Sequence, residues 1–240
     1  MPSKTDIAAR VEQVKEKIEA ACHRSGRNPQ EIKLMGVTKF HSLEAVEEAC
    51  NAGIKLFGES RVQEGTGKFA GFWETHPRDG SVELHLIGSL QRNKARKAAD
   101  FFDCIQSVDR ESLIEELGVL TGERKSPLMI LLEYHTGEET KAGFQDMDSL
   151  LQAAEKALSF PGLRPLGLMT MAPFTDIKTL IRLSFRKLAA ARDELVKRFG
   201  SEKGNWSCLS MGMTNDYEIA IEEGSTLIRV GTAIFGESGA

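Results

Sequence analysis

Cysteine, tyrosine and tryptophan are scarce in this 240-residue chain, with four, two and two copies. Cys22, Cys50, Cys104 and Cys208 lie far apart without a C-x-x-C pair, which excludes the common zinc and dithiol motifs. The five histidines form no H-E-x-x-H arrangement. No long apolar run is present, since Leu128–Leu132 is far too short to cross a bilayer. The residues after Met1 carry no apolar leader segment, so a soluble cytoplasmic protein is expected. Basic charge is not in excess either. Lys and Arg number 31 against 35 Asp and Glu, a net −4 that argues against a dedicated nucleic-acid or membrane-surface binder. The cluster Arg92, Lys94, Arg96 and Lys97 is then expected to be a solvated helix face.

Ordinary globular composition is what remains, 41% hydrophobic and 28% charged, enough for one large α/β domain over residues 1–240. Ile7, Val11, Val14, Ile18 and Ala21 make one apolar stripe of an N-terminal helix, which Gly26 can stop. Strands are expected at Leu34–Thr38, Lys55–Gly58, Leu84–Ile87, Cys104–Val108, Leu128–Tyr134, Arg164–Met169, Trp206–Leu209 and Leu227–Val230. Helical patterns fall between them at Ser42–Ala52, Arg61–Phe72, Gln91–Asp100, Arg110–Leu117, Met147–Leu158, Ile177–Phe199 and Asn215–Glu223. Ser42 and Asp109 are candidate N-caps, and Gly53 and Gly224 suit helix ends. Strict βα alternation argues for a parallel sheet covered by helices, and eight units close naturally into a single (β/α)8 TIM barrel with an extra N-terminal helix. An open doubly wound sheet is less favoured, because no G-x-G-x-x-G follows the first strand.

In such a barrel, chemistry collects where the strands end. Lys39 closes the run Leu34-Met35-Gly36-Val37-Thr38, where partial desolvation would favour a neutral, nucleophilic amine. A lysine snorkelling to solvent is the plain alternative. Glu59 and Ser60 follow the second strand, Gly88 the third and Met169 the sixth, with His85 inside the third strand. Ser210-Met211-Gly212-Met213-Thr214 and Gly231-Thr232-Ala233 follow the last two strands. Glycines and hydroxyls there, with a helix starting at Asn215, suit a phosphate, though tight turns alone would also use glycine. In Thr226-Leu227-Ile228-Arg229-Val230 the alternation turns Ile228 and Val230 toward the helices and Arg229 into the barrel. An inward arginine needs a partner, either a ligand group or an interior acid. An amine, a phosphate cradle and an inward cation together suit pyridoxal 5′-phosphate (PLP), which offers an aldehyde, a phosphate and a pyridine nitrogen.

These residues also carry a family resemblance over roughly Ile32 to Gly236. The chain resembles the YggS/PROSC family of PLP homeostasis proteins through Val37-Thr38-Lys39, Phe57-Gly58-Glu59-Ser60-Arg61-Val62-Gln63-Glu64 and His85-Leu86-Ile87-Gly88-Ser89-Leu90-Gln91-Arg92-Asn93-Lys94. Lys141-Ala142-Gly143-Phe144, Gly167-Leu168-Met169, Leu209-Ser210-Met211-Gly212-Met213 and Ile228 through Gly236 extend the match. The resemblance implies a barrel like the alanine racemase N-terminal domain (PLP fold type III), with Lys39 as the Schiff-base lysine. It implies phosphate contacts from Ser210, Gly212, Gly231 and Thr232, and Arg229 at the pyridine nitrogen. Ser60 stands where the family usually has Asn, and Thr214 where Ser is common, so the contact at Ser60 is shorter or water-mediated here. Met169 and Met211 are expected as pocket walls. Lys94 matches the family pattern, and Lys141 is a loop amine near the barrel mouth that could contact PLP.

Three functions compete on these residues. One is a PLP carrier, binding and buffering the cofactor and delivering it to PLP-dependent apo-enzymes. A second is an amino-acid racemase, which needs a second base, in that family a tyrosine from a β-rich domain of a partner subunit. Tyr134 and Tyr217 are the only tyrosines and neither has that context. A third is a Schiff-base aldolase on a sugar phosphate, which would not require the inward arginine. The carrier reading is preferred, as a monomer without significant turnover, catalytic residues or a metal.

Overall fold

The computed structural model describes residues 6–122, 124, 126–137 and 142–237; Lys141 lies outside them. Helix α1 (Ile7–Ser25) buries Ile7, Val11, Val14, Ile18 and Ala21, the stripe expected from the spacing. Asp6 caps it by accepting the Ala9 N–H at 3.0 Å. Gly26 ends it at φ +67°, where the absent Cβ permits the left-handed turn that returns its amide to the Cys22 and His23 carbonyls. α1 packs against the helices that flank the barrel seam.

Strands β1 (Lys33–Val37), β2 (Leu56–Glu59), β3 (Glu83–Leu86), β4 (Cys104–Val108), β5 (Leu128–Glu133), β6 (Leu163–Met169), β7 (Cys208–Ser210) and β8 (Leu227–Val230) pair in parallel and close as a barrel, β8 returning to β1. Helices α2 (Leu43–Asn51), α3 (Val62–Thr75), α4 (Ala95–Phe101), α5 (Glu111–Thr121), α6 (Met147–Leu158), α7 (Lys178–Lys203), α8 (Tyr217–Glu222) and α9 (Thr232–Phe235) lie between and after them. α7 carries a non-helical Gly200 near its end. This is the (β/α)8 TIM barrel expected from the alternation.

Period-two side-chain placement divides two environments. Phe57, Leu84, Ile105, Ile130, Leu168, Leu209, Ile228 and Val230 join the apolar layer shared with the helices. Met35, Val37, Leu56 and Leu227 form one cluster inside the barrel, and Cys104, Leu131 and Met169 another. Burying such side chains stabilises the fold by roughly 1.5–3 kcal/mol each. Cys22, Cys50 and Cys104 are buried and Cys208 is half-buried; all four thiols are free. Burial raises the Cys104 thiol well above its ordinary range and pushes Cys208 to about 11. Among the described residues no helix is long and apolar enough to cross a membrane. None of the His, Cys, Asp and Glu side chains there form a metal-binding group.

Several boundaries differ from the sequence expectation. Asp109 is not an N-cap: Arg110 occupies that position, and the Asp109 carboxylate accepts the Arg110 guanidinium at 2.5 Å instead. The segment from Gln91 begins as a 3-10 turn over Arg92–Lys94, so α4 starts at Ala95. α8 starts at Tyr217 rather than Asn215, because Asp216 accepts the Met213 N–H at 2.6 Å and closes a turn first. β7 runs from Cys208, since Trp206 leaves the ladder to pack on Phe199, ring centroids 6.1 Å apart.

Strand β6 holds one residue more than its partner β5. Ile130 pairs with Pro165 but Leu131 with Gly167, so Leu166 is inserted as a bulge. Gly167 has φ +154°, and a Cβ there would collide with the Cys208 carbonyl of β7. The bulge places Leu168 toward the helices and Met169 toward the barrel. Gly167→Ala is therefore expected to lower stability by about 1–3 kcal/mol, the usual cost of overpacking. Urea unfolding measures this, and an unchanged midpoint would show that β7 yields without cost.

Candidate functional site

The C-terminal ends of the strands surround a cavity of ≈ 860 Å³. Val37 and Lys39 line it from β1 and its following turn, Ser60 from beyond β2, Gly88 from beyond β3 and Met169 from β6. The loop after β7 contributes Met213, Thr214, Asn215 and Asp216, and β8 with its following turn contributes Arg229, Gly231 and Thr232. Six residues expected at the cofactor thus share one cavity: Lys39, Ser60, Met169, Arg229, Gly231 and Thr232. The Thr232 hydroxyl donates to the Thr214 hydroxyl at 3.2 Å, tying the loops after β7 and β8 together.

Lys39 corrects one expectation. It is exposed rather than desolvated, because β1 ends at Val37 and the chain turns outward after the buried Thr38. That turn is clamped on both sides of Lys39. Lys68 on α3 donates to the Thr38 carbonyl at 2.6 Å and to Glu59 Oε1 at 2.7 Å. Thr38 donates its hydroxyl hydrogen to the same Glu59 oxygen at 2.6 Å. Glu64 accepts the Phe40 N–H at 2.5 Å and also lies 3.3 Å from Lys68. Phe40 takes φ +65°, a conformation a bulky residue adopts only under such constraint. The network was invisible along the chain, because its members come from three separate elements.

Arg229 faces inward as the alternation requires and is only 4% exposed. Among the described residues, its hydrogen bonds go to oxygens of Ser210 and Thr170 rather than to a carboxylate. Its Nη1 donates to the Ser210 carbonyl and to Ser210 Oγ, both at 2.7 Å, and Nη2 donates to the Thr170 carbonyl at 2.8 Å. Burial pulls its pKa down to about 10 while the charges of Asp216 and Glu133 oppose the shift, so the guanidinium stays charged at neutral pH. Burial raises the Asp216 carboxyl, against the Met213 N–H and the charge of Arg229.

Three other expected residues stand behind the cavity wall. The Ser210 hydroxyl serves Arg229 and Gln106, and so points along the barrel interior. Met211, expected as a pocket wall, alternates outward into the apolar layer beneath the helices. Gly212, at φ +98°, gives its carbonyl to the Arg229 N–H at 2.9 Å. Lys94 is half-buried at the start of α4 and does not line the cavity. Arg92, Arg96 and Lys97 are exposed, as expected of a solvated face.

A mouth lined from the strand ends, an amine on its rim and a guanidinium in its floor define a ligand-binding barrel. The sequence profile described as alanine racemase, N-terminal domain, matches residues 10–239. A pyridoxal phosphate homeostasis protein of Aquifex aeolicus is 38% identical over 229 residues, 95% of this chain and 96% of that protein. The chain also superposes on PipY of Synechococcus elongatus PCC7942, solved with PLP bound, with a TM-score of 0.81 and 32% identity, over 96% of this chain and 100% of that one. Alanine racemase of Clostridium difficile shares the fold alone, with a TM-score of 0.76 at 11% identity, over 98% of this chain and 60% of that one. The chain belongs to the alanine racemase N-terminal domain family, in its group of pyridoxal phosphate homeostasis proteins.

The buried Glu59 has a testable charge state. Desolvation raises its carboxyl above the ordinary 4.5, against hydrogen bonds from Lys68 and Thr38. A raised carboxyl contributes stability that is full below the unfolded-state pKa and is lost as pH rises through the folded value. Glu59→Gln is therefore expected to cost more stability at about pH 4 than at about pH 7. Thermal melts of both proteins across that range read it, and a cost that grows with pH would mean Lys68 wins over burial.

Proposed function

We propose that this protein is a PLP homeostasis protein: one barrel domain over residues 1–240 that binds PLP covalently through Lys39, buffers it and releases it to PLP-dependent apo-enzymes. The carrying observation is that Lys39 and Arg229 line the same cavity, between the loops that follow β7 and β8. The donor set suits the cofactor. A primary amine, threonine hydroxyls at Thr214 and Thr232, and an interior guanidinium match an aldehyde, a phosphate and a pyridine nitrogen in turn. Bound PLP supplies a reactive aldehyde and an electron-poor ring. Of the five N–H groups of Arg229, three are engaged by Ser210 and Thr170, and the rest are available to the cavity it lines. A charged guanidinium donates a hydrogen bond and cannot accept a proton, so Arg229 would hold the ring nitrogen unprotonated. Ser60 and Met169 complete the proposed contacts at the wall, with Ser210, Met211 and Gly212 supporting from behind it.

Turnover is not proposed. A racemase needs a base on each face of its substrate, and no tyrosine lines the cavity among the described residues. Tyr134 and Tyr217 are both buried in the apolar layer, 5% and 3% exposed. The six residues at the cavity come from one chain, which favours a monomer. A cytoplasmic location accords with the four free thiols.

The purified protein is expected to be yellow, and borohydride reduction followed by peptide mapping is expected to place the pyridoxyl group on Lys39. A label mainly on Lys94 or Lys141 would overturn the assignment. Racemisation assays across the amino acids are expected to fall far below ordinary enzyme turnover of ~1–10³ s⁻¹. Sizing of the loaded protein is expected to give a monomer. Turnover in that range, or a dimer that loses PLP on dissociation, would replace the carrier reading with an enzymatic or shared-site one.

A further inference from the structure

Behind the cavity floor, three buried side chains from three strands join Arg229 to a carboxylate at the opposite end of the barrel. Arg229 Nη1 donates to Ser210 Oγ at 2.7 Å. Ser210 Oγ donates to Gln106 Oε1 at 2.6 Å. Gln106 Nε2 meets His85 Nδ1 at 2.8 Å, and His85 Nε2 meets Glu83 Oε2 at 3.0 Å. Ser210 and Gln106 are fully buried, and His85 and Arg229 are each 4% exposed. Glu83 starts β3 and Arg229 sits near the end of β8, so the chain runs the length of the interior.

Its direction follows from Arg229. A guanidinium can only donate, so Ser210 Oγ receives a hydrogen there and must give its own hydroxyl hydrogen elsewhere. Gln106 therefore has to present its oxygen to Ser210, since a flipped amide would leave that hydroxyl hydrogen without an acceptor. The amide nitrogen then faces His85 and donates to Nδ1, which must be unprotonated. Nε2 consequently carries the imidazole hydrogen and donates it to Glu83. The same contact holds the Glu83 carboxyl below its ordinary range. Every donation points the same way, and aligned hydrogen bonds polarise one another in a low-dielectric interior. Besides the nearby charges of Asp216 and Glu133, the buried guanidinium is thus linked to the Glu83 carboxylate through four successive hydrogen bonds.

We infer that Gln106 and His85 are positioning residues for the ligand site: through Ser210 they hold the Arg229 guanidinium against the cavity, and ligand contact at Arg229 is transmitted back to His85. This deepens the PLP reading and rests on it for the identity of the ligand. The alternative is that the four side chains merely satisfy one another in the interior.

The test uses the whole protein with ¹⁵N-labelled histidine, the His85 signals being assigned by their loss in His85→Phe. In wild type without PLP, His85 is expected in the Nε2–H tautomer, and adding PLP is expected to shift its Nδ1 resonance. Gln106→Met, which keeps the volume, is expected to abolish that response and to weaken PLP binding about 2- to 10-fold, the worth of one hydrogen bond. Arg229→Ala, or Ser210→Ala if the first does not fold, is expected to release the tautomer preference with no PLP present. An Nδ1–H tautomer in wild type would overturn the proposal. So would a His85 response that survives in Gln106→Met, or a Gln106→Met protein that melts earlier yet binds PLP as tightly with an unchanged spectrum. If wild type develops no PLP absorbance, the PLP reading fails, and the ligand-free tautomer measurements still decide the relay.

Discussion

A guanidinium inside a closed barrel has to be surrounded by oxygen, because a buried, unsatisfied charge would cost several kcal/mol. Much of the upper barrel follows from that demand at Arg229. It draws on the carbonyls of Ser210 and Thr170 and on the Ser210 hydroxyl, which belong to the ends of β7 and β6. Thr170 in turn donates to the Tyr134 carbonyl at 2.8 Å, so the ends of β5 and β6 are tied to the same cation. The Gly212 carbonyl takes the Arg229 amide, fixing the loop that leads to Asp216. Remove the cation and three loops at the mouth lose a common anchor.

On the opposite side of the mouth an ion-paired cluster does comparable work with other chemistry. Lys68, Glu59 and Glu64 hold the peptide groups on either side of Lys39, not Lys39 itself. The amine is left exposed on a fixed turn. The proposed carrier role would need this combination: a nucleophile restrained in position yet accessible to solvent.

Legibility from the chain was uneven for a physical reason. Features set within one element were readable. The stripe Val11, Val14, Ile18 is buried along α1, and the alternation around Arg229 turns that side chain inward. The closed barrel followed from repeated βα alternation for the same reason. Features set between elements were not readable. Ser210 looked like a phosphate ligand because its loop contains glycine and hydroxyls, yet its hydroxyl is taken by Arg229 and Gln106 from neighbouring strands. Lys39 looked desolvated because the apolar run before it is buried, yet the turn at Thr38 brings it to the surface. His85 stood out as a polar residue inside a strand, but its partner Gln106 carries no local signal at all. Only strand registry places β3 beside β4 and aligns the two side chains.

The burial of the sulfur atoms has a bearing on selectivity. Thiols compete with amines for aldehydes, and the thiolate is the reactive form. Here Cys104 and Cys208 sit inside the barrel with their ionisation suppressed, and Cys22 and Cys50 are packed beneath α1 and α2. In the proposed carrier role, an aldehyde arriving at the mouth would meet the Lys39 amine rather than a reactive thiolate.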